Sequence, residues 1–126
     1  MEYIFVYGTL RSCFDNFYRK KLLRYATFIG EGEVDGRLYK VSWYPALIEE
    51  EGRVKGEVYK IKSASLLKFL DYYEGFKKSN PKASLYIRKL KDVYMNGETI
   101  KAWVYVYNKK VSSKDLIKSG DFCKGN

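Results

Sequence analysis

The sequence predicts an α+β fold, in which a small, mostly β barrel-like core is flanked by one or two helices. Three observations support this prediction. Asn96 and Gly97 join two strand-like runs, which is the strongest hairpin signal in the chain. The second run, residues 98–107, is apolar on both faces, as expected in a closed or strongly curved sheet. Two other segments have helical spacing. With 126 residues, 46% of them apolar, we expect one domain over residues 1–126.

The first predicted elements are a strand and a helix. Residues 2–7 are apolar, β-branched and aromatic, which is typical of a buried strand, and this strand is expected to end at Gly8. Residues 16–25 predict a short helix, with Asp15 or Asn16 able to cap its first turn.

The middle of the chain predicts bent and locally paired strands. Residues 30–41 alternate loosely and contain three glycines, which indicate bends or bulges. Residues 46–49 and 54–61 have the composition of strands, and Glu51 and Gly52 between them suggest a turn. We therefore expect a hairpin in this region.

A second helix is predicted between Ser63, as its N-cap, and Gly75, as a left-handed residue that ends it. The apolar side chains at helical spacing are Leu66, Leu67, Leu70 and Tyr73. Residues 76–83 follow as a polar loop before the last two strands. On residues 98–107, one face carries Ile100, Ala102, Val104 and Val106, and the other carries Trp103, Tyr105 and Tyr107.

Composition limits the chemistry that the chain could perform. The sequence contains no histidine, so acid–base chemistry near neutral pH would require a carboxylate, a tyrosine, a lysine or a cysteine. The 24 Lys and Arg residues outnumber the 15 Asp and Glu residues, for a net charge of +9. Because the lysines are widely spread, a solvated basic surface explains this charge better than a nucleic-acid site. Attraction for anionic substrates or weak RNA binding is the alternative.

Targeting and cysteine signals favour a reduced, cytoplasmic protein. The N-terminal residues lack a basic start, and no apolar run approaches the ~20 residues of a membrane span. Cys13 and Cys123 are too few for a disulfide framework and lack metal-ligand spacing. We expect both to be small, buried apolar side chains.

A glycine at the end of the first strand indicates a candidate ligand site. Tyr7, Gly8, Thr9 and Leu10 follow directly from the buried strand. Glycine lets the backbone approach a ligand closely, and successive amides can bind a carboxylate or an oxyanion. The structural alternative is that Gly8 merely turns the chain.

Glu74 is the candidate acid–base residue. It lies at the predicted C-terminal end of the second helix, where the negative end of the helix dipole raises the pKa of a carboxyl group. The flanking Tyr72, Tyr73 and Phe76 would raise this pKa further by desolvation. Neighbouring lysines would oppose the shift if they pointed inward. A carboxylate whose pKa lies near neutrality suits a general base. The alternative is a hydrated glutamate at a helix end.

Two residues of the strand over 84–95 are further candidates. Tyr86 and Arg88 point to the same side of this strand because side chains alternate. They could line a pocket, although cross-strand packing explains them equally well. Asp71 is expected to be a charge on the helix surface or the partner of a lysine.

Segments spread over nearly the whole chain carry a resemblance to a known family. They are Val6-Tyr7-Gly8-Thr9-Leu10-Arg11, Asn16, Phe28-Ile29-Gly30, Gly36-Arg37-Leu38-Tyr39, Tyr44-Pro45-Ala46-Leu47, Val54-Lys55-Gly56-Glu57-Val58-Tyr59, Leu70-Asp71-Tyr72-Tyr73-Glu74-Gly75, Tyr86-Ile87-Arg88, Ala102-Trp103-Val104-Tyr105 and Ser119-Gly120-Asp121-Phe122. In this order they resemble the γ-glutamylcyclotransferase-like superfamily, especially the small branch related to γ-glutamylamine cyclotransferase.

This resemblance implies a barrel-like domain in which the loop at residues 7–10 faces Glu74. It further implies that the loop backbone holds the γ-glutamyl group of a small-molecule substrate and that Glu74 is the general acid/base. The product would be 5-oxoproline, and no cofactor or metal would be needed. The family often has glycine where Cys13 stands and tryptophan where Phe122 stands. These departures affect pocket shape, and so substrate choice, more than chemistry.

Two other functions stay open at this point. The same pocket could belong to a non-catalytic module that binds a small amino-acid-like ligand. The net charge of +9 alone suggests a nucleic-acid-associated domain, which is the weaker alternative.

Overall fold

A computed structural model describes residues 2–125 and confirms the predicted α+β fold. In chain order, its main elements are β1 (Tyr3–Val6), α1 (Phe17–Tyr25), β2 (Ala26–Lys40), β3 (Pro45–Ile61), α2 (Ser65–Glu74), β4 (Tyr86–Met95) and β5 (Glu98–Tyr107). Short 3₁₀ turns cover Pro81–Ala83 and Ser113–Asp115. The five strands close into a barrel in the order β1-β3-β2-β4-β5. β1 is antiparallel to β3 and parallel to β5, so the first strand closes the barrel.

Strand β3 runs without interruption through the region for which the sequence predicted a separate hairpin, and that prediction is wrong. β3 pairs with β2 instead, and the register of this pair shifts between Asp35 and Arg37. Gly36 and Gly52 have φ angles of 150° and 151°, which favour glycine. A Cβ atom on Gly52 would lie 2.8 Å from the carbonyl oxygen of Gly36. The two glycines therefore mark a bend shared by two long strands.

The helices lie where the sequence predicted them, with one wrong cap. The Asn16 side chain accepts a hydrogen bond from the first turn of α1, and Gly75 ends α2 with a φ of 69°. Ser63 is not the N-cap of α2, because Ala64 occupies that position without a capping side chain. The Ser63 hydroxyl is hydrogen-bonded to the hydroxyl of Ser65 at 2.8 Å. Within residues 2–125, no helix has the length and the apolar character needed to cross a membrane.

The last hairpin and its two faces match the prediction. Asn96 and Gly97 have φ angles of 52° and 76°, as a two-residue turn of this kind requires. One face of β5 contributes Ala102, Val104 and Val106 to an apolar cluster that also includes Phe5, Val34, Leu38 and Val58. The other face contributes Tyr105 to a second cluster, shared with Leu22 of α1 and with Leu66 and Leu70 of α2. The first cluster fills the barrel, and the second joins the barrel to its helices.

Cys13 and Cys123 form a disulfide, so the prediction that both are reduced and buried is wrong. Cys13 is exposed and Cys123 is half-buried. The bond joins the segment between β1 and α1 to the C-terminal tail across 110 residues of sequence. The pairing could not be predicted because it depends on how the tail returns to the barrel, which no local pattern encodes.

Reducing this disulfide is expected to lower the free energy of unfolding by about 2–4 kcal/mol, because a long closed loop restricts the unfolded chain. Urea unfolding with and without a thiol reductant measures the effect. A Cys13→Ser/Cys123→Ser double variant should unfold at the reduced protein's midpoint and should not respond to reductant. Equal midpoints for the oxidised and reduced wild-type protein would contradict the prediction.

Candidate active site

A cavity of about 150 Å³ opens at the end of β1. Its lining comes from the loop after β1, from the β2–β3 connection, from the end of α2 and from the start of β4. The predicted site residues among this lining are Tyr7, Gly8, Thr9, Leu10, Glu74 and Tyr86. The fold therefore brings the N-terminal loop and the helix-end glutamate, which are more than sixty residues apart, to one space.

The loop at residues 7–10, called the Gly8 loop below, packs closely against the β2–β3 connection. A Cβ atom on Gly8 would lie 2.9 Å from two ring carbons of Pro45, so a larger residue would push the two segments apart. The turn is closed by a hydrogen bond of 3.0 Å from the Arg11 amide to the Gly8 carbonyl oxygen. Among the bonds that residues 2–125 form, none is donated by the amides of Gly8, Thr9 or Leu10. Within the described residues these amides therefore have no acceptor, and the three residues that carry them line the cavity.

Side chains from both helices hold the Gly8 loop in place. Asn16 donates to the Thr9 carbonyl oxygen at 2.8 Å, and Arg19 donates to the Leu10 carbonyl oxygen at 3.0 Å. The Thr9 hydroxyl is 2.8 Å from the Tyr73 hydroxyl of α2. The C=O and N–H groups of a trans peptide point in opposite directions. Because the Thr9 carbonyl is bound to the Asn16 side chain, the Leu10 amide points away from that side chain.

Glu74 is the last residue of α2 and lines the cavity beside this loop. Burial raises the pKa of its carboxyl group to about 8, in the direction that the sequence predicted. Glu74 as a whole is half-buried by surface area, and it lines the cavity. The hydrogen bonds and ion pairs formed by the described residues include none to this carboxyl group. The carboxyl group of Glu74 therefore has no hydrogen-bond or ion-pair partner among the described residues, and a ligand in the cavity could supply one.

The cause of this raised pKa differs in part from the prediction. Tyr72 is 88% exposed and points away from the site, so it does not desolvate Glu74. Lys77 and Lys78 are also exposed and do not line the cavity. The cause of the raised pKa is burial of Glu74, which shares its cavity with Tyr73 and Tyr86.

The buried tyrosines of the cavity have their hydroxyl groups engaged by the backbone. Tyr7 donates to the Tyr105 carbonyl oxygen and Tyr86 donates to the Pro45 carbonyl oxygen, both at 2.6 Å. Burial, followed by the charge of Glu74, raises the pKa of Tyr7, and burial likewise raises the pKa of Tyr86. Both phenols are therefore neutral at physiological pH, whereas the pKa of Glu74 lies near neutrality.

Arg88 lies outside the cavity lining. Its guanidinium forms two hydrogen bonds to the Asp71 carboxylate, of 2.8 and 3.2 Å, and stacks 4.4 Å from the centre of the Trp103 ring. Asp71 also accepts a hydrogen bond of 2.7 Å from the Tyr105 hydroxyl. Asp71 is therefore the partner of an arginine and not of a lysine. The pair joins α2 to β4 and β5, close to Glu74.

A buried polar network behind the Gly8 loop was missed by the sequence analysis. Glu57 of β3 and Arg11 are 2% and 6% exposed. The Glu57 carboxylate accepts hydrogen bonds from the Ser12 amide and hydroxyl and from the Tyr59 hydroxyl, while Arg11 pairs with Asp121 at 2.6 Å. One signal was present. Glu57 is the single acid in the predicted strand over residues 54–61.

Comparisons with known proteins agree with this architecture. The family model for gamma-glutamyl cyclotransferase, AIG2-like, matches residues 4–124. A Methanocaldococcus jannaschii protein, provisionally named a gamma-glutamylcyclotransferase, is 35% identical over 97% of this chain and 96% of its own length. A Niallia circulans protein named gamma-L-glutamyl-butirosin B gamma-glutamyl cyclotransferase is 33% identical over 86% of this chain and 69% of its own. The crystal structure of an AIG2-like protein from Mus musculus superposes with a TM-score of 0.70, at 27% identity, over 91% of this chain and 82% of that one.

Proposed function

Since this chain belongs to the gamma-glutamyl cyclotransferase, AIG2-like family, we propose that it cyclises a γ-glutamyl amine or γ-glutamyl peptide to 5-oxoproline and releases the amine. One observation carries the proposal: a carboxyl group with a pKa of about 8 and no internal partner shares a cavity with the Gly8 loop. The Niallia circulans relative, whose name states a γ-glutamyl cyclotransferase activity, supports the reaction class.

The reaction suits a site with one carboxylate. The α-amine of the γ-glutamyl group attacks its own γ-carbonyl carbon, a C–N bond closes the five-membered lactam, and the C–N bond to the departing amine breaks. Glu74 takes a proton from the α-ammonium group, which frees the α-amine to attack, and it returns this proton to the departing nitrogen as the C–N bond breaks. The second proton that the α-nitrogen loses on becoming the lactam N–H leaves with the released amine as an ammonium ion. The nucleophile belongs to the substrate, so no cofactor takes part in any step. Holding the substrate bent can supply about 7–11 kcal/mol in favourable cases.

The Gly8 loop is the proposed binding site for the γ-glutamyl group. The unpaired amides of Gly8, Thr9 and Leu10 can hold its α-carboxylate or the oxyanion that forms at the γ-carbonyl. Asn16 holds the Thr9 carbonyl, and the Arg11 amide holds the Gly8 carbonyl. The Leu10 and Thr9 amides belong to the same two peptides, so they are oriented before the substrate arrives. Tyr86 would form the apolar side of the pocket. Arg88, held by Asp71, would act on the site through the position of α2.

A direct assay tests this function. Purified protein is incubated with γ-glutamyl amines and γ-glutamyl dipeptides, and 5-oxoproline is measured by mass spectrometry. Formation of 5-oxoproline in proportion to enzyme is the expected result. Tight ligand binding by calorimetry without any product would overturn the proposal and favour the non-catalytic binding module. The cytoplasmic location expected from the sequence stays a prediction.

The pH dependence of the rate should report the pKa of Glu74. We expect kcat/KM to rise with pH through about 8, because only the ionised carboxyl group can accept a proton from the substrate. The midpoint of the corresponding rise in kcat should lie at a lower pH, because the bound α-ammonium group favours the ionised form of Glu74. Initial rates from weakly acidic to alkaline pH measure both profiles. A kcat/KM that is already pH-independent at neutral pH would contradict the assignment.

A further inference from the structure

The mouth of the cavity is aromatic, and Trp43 is its outermost side chain. Trp43 is 66% exposed although it lines the cavity, whereas Phe5 and Tyr86 of the same lining are 1% and 4% exposed. The rings of Trp43 and Tyr44 meet edge to face with centroids 5.2 Å apart, and Tyr44 lies 6.3 Å from Tyr86. Trp43, Tyr44 and Tyr86 thus form one aromatic surface that runs from solvent to the interior.

The described lining of the cavity contains no positively charged side chain. Among the lining residues that the structure describes, Glu74 is the one acid, and neither lysine nor arginine is present. A carboxylate placed on the aromatic surface would lose hydration without gaining a cationic partner. It would also approach Glu74, which must ionise for the proposed reaction. The surface therefore favours neutral apolar groups over anionic ones.

The proposed reaction places the departing amine at this surface. The γ-glutamyl group must fold back on itself between the Gly8 loop and Glu74, so the substituent on its amide nitrogen extends toward the open end. Trp43 stands at that end. Resting on the proposed function, we propose that Trp43, with Tyr44, binds the departing amine and selects γ-glutamyl amides whose amine bears an aromatic or apolar group and no carboxylate.

A matched set of three substrates tests this selection: γ-glutamyl phenethylamide, γ-glutamyl phenylalanine and γ-glutamyl methylamide. The first two differ by one carboxylate, and the first and third differ by the aromatic group. We expect kcat/KM for the phenethylamide to exceed that for each of the others by about tenfold or more, as contact with aromatic rings and a desolvated carboxylate predict. Phenylalanine is a less basic departing amine than phenethylamine, so leaving-group chemistry opposes the expected order within this pair. Phenethylamine is in turn less basic than methylamine, so the part of the second difference that is due to the aromatic surface is read from its loss in a Trp43 variant.

Variants assign the selection to Trp43. Trp43→Ala should bring the ratio of kcat/KM between phenethylamide and methylamide close to one, and Trp43→Phe should restore most of it. Leu90→Ala is the control, because Leu90 is another exposed apolar side chain, 53% exposed on β4 and outside the cavity. It should leave the ratio unchanged. Thermal unfolding of each variant verifies that it is folded.

The two proposals can fail separately. If all three amides yield 5-oxoproline at similar kcat/KM, or if Trp43→Ala keeps the wild-type ratio, the cyclotransferase function stands and the role of Trp43 is overturned. If none of the three yields 5-oxoproline while the wild-type protein is folded, the proposed function falls and the inference falls with it.

Discussion

Glu74→Gln is expected to lower the rate of 5-oxoproline formation by about 10²–10⁴-fold, the usual contribution of a general acid–base group. Glutamine keeps the size of the side chain and its fit to the cavity, but it can neither accept nor return a proton. Rates under single-turnover conditions measure the loss, because they separate chemistry from product release. Glu98→Gln is the matched control, since Glu98 is an exposed acid at the start of β5 and should keep wild-type activity.

The same variant carries a stability signature that distinguishes lost chemistry from lost folding. In the folded protein the pKa of Glu74 is about 8, above its ordinary value near 4.5. The folded state therefore binds more protons than the unfolded state between these two values, so the wild-type protein loses stability as pH rises across this window. Glutamine has no such titration. Glu74→Gln should therefore gain stability over the wild-type protein as pH rises from about 4.5 to 8.

The test measures thermal unfolding of the wild-type protein and of Glu74→Gln between about pH 4.5 and 8, and compares it with their rates of 5-oxoproline formation. An inactive Glu74→Gln variant with a growing stability advantage would support both the burial of this group and its chemical role. Wild-type rates in the variant would remove Glu74 from the mechanism. Parallel stability profiles would show that its carboxyl group titrates as if it were in water.

Local signals predicted the local structure well. The structure contains the predicted turn at Asn96 and Gly97. It also contains the predicted helix ends at Asn16 and Gly75. Each of these signals depends only on residues that are close to it in sequence. Gly52 shows the limit of such signals. A glycine after an acid suits a turn or a bend equally, and the difference is decided by Gly36, sixteen residues away on the paired strand.

Features of the site that depend on distant pairs were less predictable. The resemblance to a known family, not spacing, indicated that Glu74 would meet the Gly8 loop. The pKa of Glu74 was predicted in the right direction, but Tyr72, which was expected to desolvate it, is exposed. The disulfide between Cys13 and Cys123 and the ion pair of Arg11 with Asp121 both bring the C-terminal tail to the N-terminal loop. Neither contact has a local sequence signal.

The network around Glu57 places charged groups in the protein interior, directly behind the Gly8 loop. Glu57 and Arg11 are both nearly inaccessible to water, and the Arg11 Nε atom lies 3.5 Å from a Glu57 oxygen. That Nε has no hydrogen-bond partner, so the two groups interact through charge at this contact. Glu57 also holds Ser12, two residues after the Gly8 loop, by both its amide and its hydroxyl. Removing one partner of this network would leave a buried charge unpaired and would release Ser12, which follows the Gly8 loop.

Glu57→Gln is expected to lower the free energy of unfolding by about 3 kcal/mol, the lower end of the range for breaking a buried ion pair. The lower end applies because Arg11 keeps its bond to Asp121. Glu49→Gln is the matched control. Glu49 forms ion pairs of 2.6 Å with Lys89 and Lys91, but it is 41% exposed, and such surface pairs contribute about 0–1 kcal/mol. Urea unfolding near neutral pH compares the two variants with the wild-type protein.

At acidic pH, the free energies of unfolding of Glu57→Gln and the wild-type protein should become more similar. Burial acts to raise the pKa of Glu57, but hydrogen bonds from Ser12 and Tyr59 and the charge of Arg11 outweigh it and lower that pKa below its ordinary value. The stability that an ionised Glu57 supplies is therefore complete above about pH 4.5 and is lost as pH falls through the lowered value. Unfolding curves at neutral and acidic pH should show the difference shrinking. Two results would contradict a stabilising role for the ionised Glu57. One is a loss of unfolding free energy in Glu57→Gln that is no larger than that in Glu49→Gln at neutral pH. The other is a loss in Glu57→Gln that stays the same at acidic pH.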